Sequence, residues 1–315
     1  MPTVLVARQL LPAGLERLAG AEIREGGLDV TRERLLDLAP GAAAIVADPT
    51  VTVDEQLLDA AGPQLRVVAN FAVGHDNIDL DACSSRGVVV TNTPDVLTNA
   101  TAELALALTL AAARRMSEAE ADLRGGRWTG LRPDGYLGLE LSGATFGVVG
   151  LGRIGRRYAE LVRPMAGEIL YTANSAKPEA ERGLGARRVE LAELLESADV
   201  VSLHVPGTPE TAGLIGADEL AAMRPGAVLV NTARGPLVDV AALAAALREG
   251  LIGAAGLDVY PEEPDVSAEL LAAPNAVLLP HIGSATRTAR DAMAVLAAEN
   301  VLAALAGDEP PNRVA

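Results

Sequence analysis

The chain has few aromatic residues, one cysteine and no excess of positive charge. Aromatic side chains make up 2% of its 315 residues, while 50% of the residues are hydrophobic. Ala, Val and Leu must therefore fill the core, which favours helices packed on a parallel sheet over a sandwich rich in Tyr and Trp. The single cysteine, Cys83, excludes an internal disulfide and is typical of a reducing cytoplasm.

The net charge of −16 argues against nucleic acid and anionic membranes as partners, because both require a basic surface. The longest apolar stretch, residues 104–113, is interrupted by Thr109 and is too short to span a bilayer. The N-terminus shows no basic segment followed by the apolar core of a signal peptide. We expect a cytoplasmic protein with no nucleic-acid or membrane partner.

Short β-rich runs alternate with segments rich in Ala and Leu, which predicts βαβ units and parallel sheets. The predicted strands are residues 3–7, 44–47, 65–69, 88–91, 145–149, 168–172, 199–204, 227–231, 255–259 and 277–279. The predicted helices include residues 31–38, 53–61, a helix capped by Asn99 and running to about Arg115, and 285–306. A loop rich in Gly and Pro, residues 124–138, separates two α/β blocks.

The second block begins with a glycine motif that directly follows an apolar run. Gly150, Gly152 and Gly155 form GxGxxG, with Arg153 and Ile154 between the last two. A strand precedes the motif, a helix follows it and another strand comes at the expected distance, which is the context of a dinucleotide site. The first glycine permits the tight turn, the second lets a pyrophosphate approach, and the third lets the helix pack on the strand. The alternative is a plain βα turn.

The stretch after the next strand lacks the acidic residue that usually binds the ribose 2′-hydroxyl of NAD. Instead, Asn174 and Ser175 can hydrogen-bond a 2′-phosphate, and Lys177 can balance its charge. We therefore favour NADP(H) as the cofactor, with NAD(H) possible. The alternative is a neutral loop that binds NAD weakly.

Three segments that end predicted strands of the second block together offer a cation, carboxylates and an imidazole. They are VNTARG at 230–235, GLDVYPEEP at 256–264 and LPHIGS at 279–284. Ligands of doubly wound domains bind at the carboxyl ends of strands. Reduction of a keto acid needs a bidentate cation for the carboxylate, which suits Arg234, and an acid that titrates near neutral pH, which suits His281. A carboxylate beside the imidazole would favour its protonated form.

With these motifs the chain resembles the D-isomer-specific 2-hydroxyacid dehydrogenases, and most closely their glyoxylate/hydroxypyruvate reductase branch. The resemblance covers most of the chain in the family's order. It includes VGHDNID (73–79), VTNTPDVLTNATAEL (90–104), GLGRIG (150–155), LHVPGTPET (203–211), NTARG (231–235), GLDVYPEEP (256–264) and PHIGSAT (280–286).

The resemblance implies a role for each matched residue. Arg234 would bind the substrate, Glu263 would pair with His281, and His281 would be the acid in reduction and the base in oxidation. The cofactor would contact the glycine motif together with Asn174, Ser175, Lys177, His204, Pro206, Thr232, Ala233, Arg234, Asp258, His281 and Gly283, with Asp258 holding the nicotinamide carboxamide. The substrate would also contact the backbone amides of Val73 and Gly74, and Ser284. His75 is interpreted as structural, and no metal is expected.

The resemblance also implies an α/β fold of two doubly wound parallel-sheet domains. Residues 1–97 and 287–315 would form a flavodoxin-like substrate domain, and residues 98–286 a Rossmann cofactor domain. The family is typically homodimeric, with the helix near residues 101–115 and the following loop at the interface. In that loop, the position that carries an aromatic residue in many reductases of the branch is Gly135, although Tyr136 could substitute.

Two other functions remain open on the sequence. One is a different substrate within the same family, as in D-lactate or 3-phosphoglycerate dehydrogenases. The other is a non-catalytic nucleotide-sensing protein related to corepressors of this fold. The presence of Arg234, Glu263 and His281 together favours an enzyme over a sensor.

Overall fold

A computed structural model describes all 315 residues of the chain. The strands are β1 Thr3–Val6, β2 Glu22–Glu25, β3 Ala42–Ala47, β4 Val67–Asn70, β5 Val89–Thr91, β6 Ala144–Val149, β7 Ala166–Thr172, β8 Arg187–Arg188, β9 Val200–Leu203, β10 Val228–Asn231, β11 Ala254–Leu257 and β12 Ala276–Leu278. The helices are α1 Pro12–Arg17, α2 Arg32–Leu38, α3 Glu55–Ala61, α4 Leu80–Ser85, α5 Thr98–Ala113, α6 Met116–Arg124, α7 Arg153–Val162, α8 Pro178–Leu184, α9 Leu191–Ser197, α10 Ala217–Ala222, α11 Val240–Glu249, α12 Ala268–Leu271 and α13 Arg287–Ala306.

The first of two compact units comprises Met1–Leu97 and Ser284–Ala315. Its five strands are all parallel and lie in the order β2-β1-β3-β4-β5, which is the flavodoxin-like order. One face of the sheet packs on α2, α3 and α4, and the other packs on α1 and α13. Apart from the edge strand β2, the strands are rich in Val and other aliphatic residues because both faces of the sheet are covered.

The second unit, Thr98–Gly283, holds seven parallel strands in the order β12-β11-β10-β9-β6-β7-β8. The order reverses at β6, the strand that carries the glycine motif at its end, as in Rossmann domains. Two apolar cores fill the two faces, one between the sheet and helices α9 to α12 and the other against α5 and α7. The carboxyl ends of β6, β9, β10 and β11 thereby lie side by side at one edge of the sheet.

The structure confirms the α/β fold and adds elements that the sequence pattern did not predict. Two edge strands, β2 and β8, were missed because they are charged rather than apolar. Helix α6 was missed too, because none of its residues is buried. The assignment of Asn99 as an N-cap was wrong, since α5 begins at Thr98 and Asn99 lies inside its first turn. The second segment of the first unit begins at Ser284, three residues before the predicted boundary at 287.

None of the helices is both long and apolar enough to cross a membrane.

Candidate active site

The turn between β6 and α7 has three glycines whose surroundings differ. Gly150 has φ +94°, and a Cβ there would lie 2.7 Å from the carbonyl oxygen of His204. At Gly155 a Cβ would lie 2.0 Å from the carbonyl oxygen of Gly150, so only glycine lets the helix approach. At Gly152, in contrast, a Cβ would meet nothing within 4 Å. The first and third glycines are therefore required by the fold, whereas the second borders open space.

Donors for a pyrophosphate are available at this turn. Gly152 is the N-cap of α7 and has no side chain to accept a hydrogen bond from the first turn of the helix. The first amides of any α-helix have no intrahelical acceptor, and here they follow Gly152, whose Cβ position borders open space. At the end of β10, the hydroxyl of Thr232 is buried without a hydrogen-bond partner. Both observations fit a bound dinucleotide, whose phosphates and nicotinamide end supply acceptors and donors.

The hydroxyl of a tyrosine stabilises the loop after β7 by hydrogen bonds. The hydroxyl of Tyr171 accepts a hydrogen bond from the Lys177 amide at 2.8 Å and donates to a carboxylate oxygen of Glu181 at 2.5 Å. Asn174 and Ser175 lie exposed at the tip of this loop, and Lys177 is partly exposed. The structure therefore brings the three predicted residues together in one short loop.

Arg188 on the edge strand β8 joins this loop, and the sequence pattern did not single it out. Its guanidinium donates to the carbonyl oxygen of Ala173 from Nε at 3.2 Å and from Nη2 at 2.8 Å. The adjacent Arg187 is paired with both Glu168 and Glu193, whereas Arg188 forms no ion pair. Arg188 reaches this loop because β8 pairs with β7. That pairing could not be predicted from the sequence, since β8 is charged.

The segment after β10 positions Arg234. The side chain of Asn231, which is buried, accepts a hydrogen bond from the Ala233 amide at 3.0 Å and donates to the Arg234 carbonyl oxygen at 2.7 Å. Arg234 Nη1 donates to the Ala233 carbonyl oxygen at 2.8 Å. Gly207 makes room for the arginine, since a Cβ there would lie 2.9 Å from its Cγ. Neither Asn231 nor Gly207 was predicted to contribute to the site.

His204 and Pro206 follow β9. The ring of His204 hydrogen-bonds the Ser202 hydroxyl through Nε2 at 2.9 Å and lies 5.1 Å from the ring of Tyr158. Burial lowers the pKa of His204 to about 3, so the ring is neutral at physiological pH. The carbonyl oxygen of Pro206 accepts a hydrogen bond from the Thr211 hydroxyl at 2.8 Å. His204 therefore supports the glycine turn by packing and contributes no charge to it.

Asp258, at the end of β11, is 1% exposed. Its carboxylate accepts hydrogen bonds from the amides of Ile282 and Gly283, both at 2.7 Å. Burial raises the pKa of Asp258, although these two hydrogen bonds and the charge of His281 oppose the shift. Whatever it contributes to a cofactor, Asp258 fixes the segment that carries His281.

His281 and Glu263 form a short hydrogen-bonded pair. Nδ1 of His281 lies 2.6 Å from Oε2 of Glu263, and the other carboxylate oxygen accepts a hydrogen bond from the Tyr260 amide at 2.9 Å. The hydroxyl of Tyr260 donates to the Leu279 carbonyl oxygen at 3.0 Å and so ties the two loops together. His281 adopts φ +52°, a strained conformation for a residue with a Cβ. The flanking hydrogen bonds hold the imidazole against the carboxylate.

The pair shifts both of its own pKa values. The hydrogen bond with Glu263 raises the pKa of His281, and the carboxylate charges of Glu263 and Asp258 act in the same direction. Burial alone would raise the pKa of Glu263, but the hydrogen bonds from His281 and Tyr260 outweigh it and the pKa is lowered. With Nδ1 bound to the carboxylate, Nε2 is the nitrogen that carries an exchangeable proton towards a ligand.

The loop that contains Val73 and Gly74 lies in the first unit. The Val73 carbonyl oxygen accepts a hydrogen bond from the side chain of Asn92 at 2.8 Å, and the Gly74 carbonyl oxygen accepts one from the side chain of Asn70 at 2.7 Å. Both residues are partly exposed. Ser284 precedes α13, and its carbonyl oxygen accepts a hydrogen bond from the Thr286 amide at 2.7 Å. His75 lies in the same loop, and its Nδ1 is buried without a partner.

The sequence profile of the D-isomer specific 2-hydroxyacid dehydrogenase NAD binding domain matches residues 106–283, which is more than half of the chain. This chain belongs to the D-isomer-specific 2-hydroxyacid dehydrogenase family. It is 46% identical to the glyoxylate reductase of Thermococcus litoralis over 99% of this chain and 96% of that protein. Its identity to the glyoxylate reductase of Aeropyrum pernix is 47% over 99% and 96% of the two chains.

Solved structures of 2-hydroxyacid dehydrogenases and related chains share the whole fold. The TT0316 protein of Thermus thermophilus is 46% identical and superposes with a TM-score of 0.93, covering 99% of this chain and 100% of the other. An NADPH-dependent glyoxylate/hydroxypyruvate reductase of Sinorhizobium meliloti, solved in complex with NADP and malonate, is 38% identical with a TM-score of 0.86, covering 100% and 97%. Membership of the reductase branch, expected from the motifs, is thereby confirmed.

Replacing Glu263 by Gln should lower the pKa of His281, because the substitution removes the carboxylate that stabilises the imidazolium. Titration of the histidine Cε1 protons by NMR measures this, and the chain has only three histidines to resolve. His204 should give no titration step between about pH 5 and pH 8 in either protein, which provides an internal control. An unchanged His281 titration in the variant would show that the pair does not set its charge.

Proposed function

We propose that this dehydrogenase uses NAD(P)H to reduce a small 2-keto acid of the glyoxylate and hydroxypyruvate type to the D-2-hydroxy acid. The observation that carries the proposal is the 2.6 Å pair of His281 and Glu263 at the strand ends of a nucleotide-binding unit. A non-catalytic sensor has no need for an imidazolium held in a strained conformation. The names of the relatives support the substrate class.

Arg234 is proposed to bind the carboxylate and the keto oxygen of the substrate. A guanidinium matches a carboxylate with two parallel hydrogen bonds, which fixes the position of the carbonyl group. The buried amide of Asn231 shapes the backbone on both sides of this arginine. The backbone amides of Val73 and Gly74 are proposed to bind the substrate carboxylate, and Ser284 to lie near it.

His281 is proposed to donate its Nε2 proton to the keto oxygen as that oxygen becomes an alkoxide. The same nitrogen would accept the proton in oxidation. Glu263 raises the pKa of the His281 imidazole and orients it through Nδ1, so the protonated form extends above the usual pKa of histidine. Because reduction consumes this proton, the rate of reduction should fall as pH rises through the raised pKa of His281.

The cofactor, when bound, supplies the hydride. We propose that the amides after Gly152, including those of Arg153 and Ile154, bind its pyrophosphate. His204, Pro206, Thr232, Ala233 and Gly283 would line the rest of its site, and Asp258 would accept a hydrogen bond from the carboxamide in addition to its two backbone contacts.

Replacing His281 by Ala should lower kcat for glyoxylate reduction by about 10²- to 10⁴-fold, the usual contribution of a positioned general acid. The dissociation constant of NADPH, measured by fluorescence titration, should change little and serves as the control for folding. Full turnover in the variant would refute the mechanism, and a wild-type protein that binds the cofactor but reduces no 2-keto acid would refute the function.

We propose that NADPH is preferred over NADH. Supporting this, the loop after β7 contains no carboxylate, and its Asn174, Ser175 and Lys177 lie together with the exposed guanidinium of Arg188. A 2′-phosphate placed there would meet two cations and two neutral donors. The ribose 2′-hydroxyl of NAD would lack the carboxylate that usually binds it.

Replacing Arg188 by Ala should raise the dissociation constant of NADPH about 3- to 30-fold and leave that of NADH nearly unchanged, since only the phosphate loses a partner. Replacing the neighbouring Arg187, which is already paired with two carboxylates, is the matched control and should affect neither cofactor. The preference itself would be contradicted by a much higher kcat/KM with NADH than with NADPH in the wild-type protein.

We propose a cytoplasmic homodimer formed through the apolar arm, residues 116–137, which comprises α6 and the following loop. Large apolar side chains are exposed along this arm, and Leu131 is 95% exposed. The others are Met116, Leu123, Trp128 and Leu137. Exposed apolar surface of this extent is typical of an interface between subunits. Tyr136 is held by a hydrogen bond to Asp122 at 2.8 Å.

Light scattering should give twice the chain mass of 32.3 kDa for the wild-type protein. Replacing both Leu123 and Leu131 by Glu should reduce the measured mass to that of one chain, because two charges would be buried in the interface. The control is Leu28→Glu, at an exposed leucine of the first unit. A wild-type monomer, or a double variant that remains dimeric, would contradict the interface.

A further inference from the structure

Three consecutive carbonyl groups of the loop at residues 72–74 accept hydrogen bonds from residues at or just after the ends of β4 and β5. The Ala72 carbonyl oxygen accepts a hydrogen bond from the Thr93 amide at 2.8 Å. The two that follow accept hydrogen bonds from side-chain amides, Val73 from Asn92 at 2.8 Å and Gly74 from Asn70 at 2.7 Å. All three peptide groups are therefore anchored by their oxygens.

The anchoring fixes where the N–H groups point. These peptide bonds are trans, and in a trans peptide the N–H points opposite to the C=O of the same group. The N–H groups of Val73, Gly74 and His75 thus point away from the donors that bind these oxygens, and none of them donates to a backbone carbonyl oxygen. Successive outward amides of this kind form a concave site for an anion.

We propose that Asn92 and Asn70 are positioning residues that aim the amides of Gly74 and His75, next to that of Val73, at the carboxylate of the substrate. The inference rests on the proposed function and adds to it a third donor, the His75 amide, and the two side chains that orient the amides of Gly74 and His75. Asn92 and Asn70 act on the peptide oxygens and do not touch the substrate. Their loss would free the peptide groups to rotate and weaken carboxylate binding.

Asn92 is itself held by the C-terminal segment. Its carbonyl oxygen accepts a hydrogen bond from the side chain of Asn300 on α13 at 3.2 Å, and its amide donates to the Asn312 carbonyl oxygen at 3.2 Å. The side chain of Asn300, which is 0% exposed, accepts a hydrogen bond from the Asn312 amide at 3.1 Å. The end of the chain, which runs antiparallel to β5 at Arg313, thus fixes the donor for the Val73 carbonyl.

Asn70 is held by a second asparagine. Its side chain donates to the side-chain oxygen of Asn77 at 3.0 Å, and Asn77 in turn donates to the carbonyl oxygens of Asp48 and Val51 at 3.0 and 2.9 Å. Asn70 is 0% exposed. The side-chain amide of Asn70 is therefore held with its N–H group facing the loop, whereas Asn92 is held through its backbone.

The Asn92→Asp variant tests the role of the side-chain donor, because a carboxylate has the same shape but cannot donate to the Val73 carbonyl. KM for glyoxylate and Ki for oxalate should rise about tenfold or more, the size of one hydrogen bond to a charged group. The dissociation constant of NADPH should be unchanged, and kcat at saturating glyoxylate should fall less than KM rises. This split separates positioning from general damage to the fold.

The matched control is Gln64→Glu in the same unit. Gln64 also donates from its side-chain amide to a backbone carbonyl oxygen, that of Ala61 at 3.2 Å, and the change adds the same charge. KM for glyoxylate should stay within about twofold of the wild-type value in this variant. Equal KM values in Asn92→Asp and wild type, or equal increases in both variants, would overturn the inference.

A second measurement uses the wild-type protein and depends on no variant folding. Histidine labelled with ¹⁵N gives only three backbone amide signals in this chain, and loss of one signal in His75→Gln assigns that of His75. Adding oxalate to the NADP⁺-saturated protein should move the His75 amide proton downfield. An unmoved signal, with oxalate shown to compete with glyoxylate, would overturn the third donor. Failure of the wild-type protein to reduce any 2-keto acid would instead refute the proposed function.

Discussion

The catalytic half of the second unit depends on one buried carboxylate and the two amides that it binds. Asp258 accepts hydrogen bonds from Ile282 and Gly283, and these bonds fix the backbone on the far side of His281. Only with that backbone fixed can His281 keep φ +52° and present Nδ1 to Glu263. The pair then determines the charge of the imidazole, because the hydrogen bond with Glu263 raises its pKa. The hydrogen bonds of Asp258 and Glu263 thus determine the backbone conformation, the orientation and the pKa of His281 together.

Each of the two units has a proposed anion site made of backbone amides rather than lysine side chains. In the second unit the first turn of α7 offers amides beside Gly152, and in the first unit the loop at residues 72–75 offers amides whose oxygens are anchored. Amides carry partial charges and need no neutralising partners, so they can operate in a chain with a net charge of −16. Arginine is used where two parallel hydrogen bonds are needed, as proposed for Arg234.

The candidate site residues that lie within short motifs could be proposed from the sequence. Gly150, Gly152 and Gly155 were assigned distinct roles, and the structure gives each the steric surroundings that its role requires. The central strands were predicted because both faces of each sheet are covered and the strands are uniformly apolar. Asn99 was wrongly assigned as the N-cap because the sequence does not show at which residue near a helix end the first turn begins.

Other features could not be predicted because they depend on pairing between distant segments. Arg188 reaches the loop after β7 only because β8 pairs with β7, and a charged edge strand gives no apolar pattern. Asn70 and Asn92 are ordinary polar residues in the sequence, and their roles follow from carbonyl oxygens that only the folded loop presents. Gly207 resembles any loop glycine in the sequence, and its role follows only from the aliphatic part of Arg234, which packs beside it in the structure.

The central claim is that His281 delivers the proton in reduction and that Glu263 sets when it can do so. The pH dependence of kcat/KM for glyoxylate reduction by the wild-type protein, compared with the NMR titration of His281 in the free protein, tests this most directly. We predict that kcat/KM is constant at low pH and falls tenfold per pH unit above the same raised pKa that the NMR titration gives. A profile that stays flat through the His281 titration, or falls at an unrelated pH, would contradict the account.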